Sequence, residues 1–207
     1  MNFTNTDAQK LLNIIKARRD VRGNRFISQE VEEEKLQLIL EAGISAPSVG
    51  YSQPWKFILI KDEEIKREIV ENFTQENEHA KEIFQERTLY EELKLEGIKE
   101  APLNIAVLYE PKEEATLGMT SMKKMGEYSV VCAVQNMWLM ARALNIGIGW
   151  VSILDAKKVL QTLQAPKNSQ LIAYLCVGYV DKFYKESELK TLQWEKEKLL
   201  QECVSFR

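Results

Sequence analysis

Residues 128–144, YSVVCAVQNMWLMARAL, are apolar on nearly every face of a helix. A helix without a polar side belongs at the centre of a domain or in a subunit interface. Gln135, Asn136 and Arg142 make it too polar for a membrane span, and it falls short of the roughly 20 residues a bilayer requires. The rest of the chain must therefore supply surfaces that bury it.

Those surfaces are legible as apolar runs at residues 55–60 (WKFILI), 103–109 (LNIAVLY) and 171–177 (LIAYLCV), each with the length of a buried strand. Residues 150–154 (WVSIL) continue the central helix as a strand or turn once Gly147 and Gly149 have ended it. Helices fill the intervals. Thr6 and Gln9 have capping-box spacing ahead of Leu11, Leu12, Ile14 and Ile15. Ser28 can cap a second helix that turns Val31, Leu36, Ile39 and Leu40 inward. Residues 62–100 read as one or two solvated helices, Asp155 as the cap of a short one, and 186–201 as a charged C-terminal helix. Residues 111–126 have no clean period and read as a mobile loop. The expectation is one domain over 1–207, with 186–207 a helical extension. Its fold is α+β, three α/β/α layers in which helices surround a mixed central sheet.

Composition narrows the function classes. A net charge of -3 provides no global attraction for nucleic acid or anionic lipid, so any anion site must be local. Cys132, Cys176 and Cys203 are widely spaced and odd in number, which argues against disulfides and a cysteine zinc site. His79 is the only histidine and lies in a charged helical segment; no metal site and no histidine-based triad is expected. The N-terminus carries no secretory pattern, and a cytoplasmic protein is expected.

Three local features can carry chemistry. Arg18, Arg19 and Arg22 place three permanent cations within five residues, and their planar forks suit a phosphate as well as surface salt bridges. Asp20 lies among them; neighbouring cations favour its ionised form, and it can orient an arginine or act as a base. Ser48, Gly50 and Gln53 form a polar turn before a strand, and Gly147-Ile148-Gly149-Trp150-Val151-Ser152 offers close backbone approach and a hydroxyl. Each has an ordinary structural explanation as well, and Met137 and Trp138 read as core.

In order along the chain, RRDVR (18–22), APSVGYSQPWKFILI (46–60), APLNIAV (101–107) and CAVQNMWLMARALNIGIGWVSI (132–153) resemble the nitroreductase superfamily over about residues 10–195. Within it, the resemblance is closest to the flavin-fragmenting branch that makes 5,6-dimethylbenzimidazole. Asp20 is the pointer, because conventional members usually carry serine there. Tyr51 departs from the asparagine common in nitroreductases. Met119 and Lys123 stand where the flavin-fragmenting branch carries an arginine and a proline.

The resemblance implies a homodimer with FMN at the subunit interface. Arg18, Arg19, Asp20, Val21 and Arg22 would hold the flavin, with Ser48, Leu103 and Ser152 contacting it. Asp20 and Ser152 would be the catalytic residues. It further implies that reduced FMN is both cofactor and substrate and that O2 is the co-substrate. The products would be 5,6-dimethylbenzimidazole, the lower ligand of vitamin B12, and D-erythrose 4-phosphate, with NAD(P)H or a partner flavin reductase as the indirect electron source. The alternatives are an NAD(P)H-dependent nitro or quinone reductase with FMN as a conventional redox cofactor, and a flavin-sequestering protein without turnover.

Overall fold

A computed structural model describes residues 1–207. Its sheet has the order β1-β2-β4-β3, formed by β1 (Trp55–Ile60), β2 (Leu103–Tyr109), β3 (Gly147–Val151) and β4 (Gln170–Gly178). These strands pair antiparallel throughout; the parallel component is an isolated bridge from Asp20 to Ile148. Alternate β2 residues feed two separate cores. Leu103, Ile105 and Val107 face α2 (Glu33–Ile44) and α5 (Met125–Ala143), where Ile39, Val134 and Met137 complete one core. Ala106 and Leu108 face α3 (Glu63–Ile83) and α6 (Ala156–Thr162), where Ile69, Phe73 and Val159 complete the other. With both faces covered, β2 is buried along its whole length, which explains its unbroken apolar sequence. The α+β fold in three layers is thus observed, and no helix is long and apolar enough to cross a membrane.

Several local expectations are corrected. The cap of α1 (Asn5–Ala17) is Thr4, whose capping box closes on Asp7 rather than running from Thr6 to Gln9. Residues of α1 are not buried, and Leu11, Leu12 and Ile15 are exposed. Ser28 caps nothing; α2 starts at Glu33 after an extended Glu32. Gly147 and Gly149 do not end α5, which stops at Ala143 with Asn145 in the left-handed region; both glycines lie in β3. The 186–201 helix is absent as a unit. Helix is confined to α7 (Glu188–Thr191) and α8 (Leu200–Cys203). Gln193 at φ 57° turns the chain so that Trp194 packs edge-on to Phe84 at 5.5 Å, beneath the Arg87 guanidinium at 3.5 Å. That aromatic anchor, together with α4 (Leu89–Glu92) carrying Tyr90, competes successfully with continuation of a charged helix.

Candidate active site

The arginine segment leaves α1 at Arg18 and runs extended along β3. Val21 N–H donates to Ile148 O at 3.0 Å. This crossing explains the glycine at position 149, because a Cβ there would overlap the Val21 carbonyl oxygen. Beside it, the Trp150 N–H donates to Asp20 Oδ1 at 2.9 Å, and the Arg22 guanidinium meets Asp20 Oδ2 at 2.5 Å. Arg22 also donates to Leu95 O at 3.1 Å. The carboxylate is therefore fixed at both oxygens.

Its charge balance differs from the expectation drawn from its neighbours. Burial pushes the Asp20 carboxyl above the usual carboxylate range; Arg22, the Trp150 N–H and Arg18 pull it down without overcoming that effect. The proximity of cations is visible in the sequence, whereas the partial burial of the carboxylate is not.

The remaining cations are crowded. Arg18 lies over the Trp138 ring at 4.6 Å; burial lowers its pKa, opposed by Asp20 and reinforced by Arg19. Arg19 donates only to main-chain carbonyls, those of Lys16, Arg18 and Lys185, and its buried Nε has no partner. Arg142, from α5, is lowered by burial and then by Arg19. Arg22 alone among these four has a carboxylate partner. The far wall is the segment after β4. Tyr184, Ser187, Glu188 and Leu189 enclose a cavity of about 50 Å³ with Arg19, Asp20 and Arg22, and Arg25 holds that wall through Tyr184 and Asp181.

Within one chain the other expected residues lie elsewhere. Ser48 sits at the N-terminal end of α5, where its hydroxyl accepts from Gln53 N–H at 3.1 Å and the neighbouring Val49 N–H donates to Ser129. Gly50, Tyr51 and Gln53 all have positive φ in this loop, and Tyr51 is 82% exposed. The loop packs against Leu117 and Gly118 of the segment before α5. Leu103 is buried in the core facing α2 and α5. Ser152 is exposed just beyond β3. None of these three lines the cavity beside Asp20. Trp138 lies in the core, as its sequence context implies, and it also touches the arginine segment. Arg142 is a site neighbour that the sequence does not disclose, since a lone arginine in an apolar helix carries no local signal of its tertiary partner. Cys176, buried opposite Gly149, is driven far above the ordinary thiol range by burial and has no thiolate character to offer.

Residues 15–179 match the family model described as the nitroreductase family, and the chain belongs to that family of oxidoreductases. Among its curated relatives is a 5,6-dimethylbenzimidazole synthase of Rhodospirillum rubrum, 40% identical over 185 residues, covering 86% of this chain and 85% of the relative. A BluB-like flavoprotein from Clostridium difficile superposes with a TM-score of 0.72 at 20% identity, covering 95% of this chain and 98% of that one. A putative nitroreductase from Desulfovibrio desulfuricans, solved in complex with FMN, superposes with a TM-score of 0.70 at 24% identity, covering 95% and 96%.

Proposed function

We propose that the chain is a flavin-fragmenting enzyme that converts reduced FMN to 5,6-dimethylbenzimidazole and D-erythrose 4-phosphate with O2 as co-substrate. The observation that carries this is Asp20, a carboxylate gripped by Arg22 and the Trp150 N–H and raised in pKa by burial at the edge of an arginine cluster. The 5,6-dimethylbenzimidazole synthase relatives support the same reading.

The donor set fits FMN. Arg18 and Arg19 lack carboxylate partners, and the Arg19 Nε is buried without an acceptor. Such an excess of forked donors suits a phosphate dianion. Arg18, Arg19 and Arg22 would hold the phosphate, ribityl chain and pyrimidine edge, with the Val21 backbone alongside. When bound, reduced FMN supplies the electrons and the ring system that is taken apart. Asp20, its proton affinity raised by burial above that of an ordinary aspartate, would move a proton at its Oδ atoms, and Ser152 would hydrogen-bond the flavin from the end of β3.

A homodimer would assemble the site. Leu11, Leu38, Leu139, Met140 and Ala143 of α1, α2 and α5 line a groove of about 480 Å³. Leu11, Leu12, Ile15, Leu38 and Ile44 expose apolar surface around it; a patch of this kind marks an interface. The helical rise puts Ser129, beside the Ser48 loop, about 20 Å along α5 from Arg142. A twofold axis across α5 would run the two helices antiparallel and bring the partner's Ser48 loop toward this chain's arginines. Leu103, buried in the single chain, would have to be approached by flavin along its backbone.

Incubating the protein with reduced FMN in air, the electrons supplied by NAD(P)H through a separate flavin reductase, is expected to release 5,6-dimethylbenzimidazole, measured by chromatography. Sustained NAD(P)H-dependent reduction of nitroaromatics with intact flavin and no benzimidazole would replace this reading by the conventional reductase. Bound FMN without either product would leave a sequestering protein.

A further inference from the structure

We infer that Trp138 and Arg142 of α5 are positioning residues that set where the Arg18–Arg22 segment stands. They are four positions apart and so share one helix face. Each donates to a main-chain carbonyl, Trp138 within the segment and Arg142 at the α1 residue that leads into it. Arg142 Nε donates to Ala17 O at 3.0 Å, and Trp138 Nε1 donates to Arg19 O at 3.1 Å. Two carbonyls, one on each side of Arg18, are thereby tied to a rigid helix buried in the core.

Side-chain contacts reinforce the grip. The Trp138 ring carries the Arg18 guanidinium at 4.6 Å, and tilts against Trp150 at 6.3 Å, whose own N–H holds Asp20. Arg142 lies over the Phe183 ring at 4.0 Å, on the segment that walls the Asp20 cavity. The chain leaves α1 at Arg18 in an extended conformation with no helix of its own, so its register against β3 depends on outside contacts. The Val21–Ile148 bond supplies one; Trp138 and Arg142 supply two more. Neither residue is required to touch a ligand for this role.

The inference rests on the proposed FMN site, and its consequence is specific to the part of the ligand those arginines hold. Displacing cations that face a phosphate weakens FMN more than riboflavin, which lacks the phosphate; general loosening of the core weakens both alike. The dissociation constants of both flavins are measured by fluorescence titration of the whole protein, with thermal melting alongside. Trp138→Phe keeps an aromatic ring against Arg18 and Trp150 but removes the Nε1–H donor, together with part of the indole, whose packing loss the melting curve reads. It is expected to raise the FMN dissociation constant about fivefold, the factor that about 1 kcal/mol for one hydrogen bond converts to, and the riboflavin constant less than about twofold.

Arg142→Lys, which keeps the charge but lacks the Nε–H, is expected to shift the ratio in the same direction, and it carries the test if Trp138→Phe does not fold. Val134→Ala, buried in the same helix and making no hydrogen bond to the segment, is the packing control and is expected to lower the melting temperature with the FMN-to-riboflavin ratio unchanged. A wild-type protein that prefers FMN, together with a ratio unmoved in both the Trp138 and Arg142 variants, would overturn the positioning role and leave the FMN reading intact. A wild-type protein that binds neither flavin would overturn both.

Discussion

Asp20→Asn is expected to leave FMN bound and to lower release of 5,6-dimethylbenzimidazole about a hundredfold or more, the scale of a lost general acid or base. Asparagine preserves the shape of the site, and its Oδ1 can still accept the Trp150 N–H. It cannot carry a proton, and it presents an amide where Arg22 meets a carboxylate oxygen at 2.5 Å. Binding should survive because the cations that would face the phosphate are unchanged. Unaltered product formation with FMN bound would end the proposed role of Asp20.

The same substitution has a signature in stability. Because burial raises the carboxyl's pKa in the folded state, the native protein holds that proton more tightly than the unfolded chain does. Stability from this source is fully present below the ordinary aspartate range and is lost as pH rises through the raised folded value. The wild-type protein should therefore lose stability relative to Asp20→Asn as pH increases across that window. Melting curves of the two proteins at several pH values measure it; a difference independent of pH would mean that Arg22 and Trp150 fully compensate the burial.

How far the sequence discloses this molecule depends on whether a feature is decided locally or across the chain. The limits of β2 are readable because burial on both faces leaves a continuous apolar run, and those of β1, a half-buried edge strand, because WKFILI is apolar apart from Lys56. The Asp155 cap is readable because its acceptor and both amide donors are within three residues. The α1 cap is not, since Thr4–Asp7 and Thr6–Gln9 offer equal spacing and only the backbone chooses between them. The apolar residues of α1 follow a helical period, yet Leu11, Leu12 and Ile15 stay exposed in the single chain. In the site, arginine chemistry and Asp20 are visible in five consecutive residues. The carbonyl grips of Trp138 and Arg142 are not, because they lie more than a hundred residues away in sequence. The burial that raises Asp20 is likewise a property of the packed wall after β4, not of the string RRDVR.

Gly149 is the sharpest case of a residue whose cause is tertiary. Its pattern suggested a helix terminus, yet its backbone has no left-handed requirement, and the constraint is space. The Cβ of Gly149→Ala would overlap the Val21 carbonyl oxygen and come within 3.8 Å of Asp20 Oδ1. A backbone oxygen cannot rotate away as a flexible side chain does, so either β3 or the arginine segment must shift. Overpacking of this kind costs about 3 kcal/mol, which for a chain of this size corresponds to a fall in melting temperature of roughly 6–12 °C. The shift would also separate Asp20 from the Trp150 N–H and move the cations flanking it. Gly149→Ala is therefore expected to lose FMN binding together with stability, whereas Asp20→Asn keeps binding and loses turnover. Calorimetry and flavin titration on the Gly149 variant decide the point: an unchanged melting temperature with unchanged FMN affinity would show that the arginine segment does not need its close approach to β3.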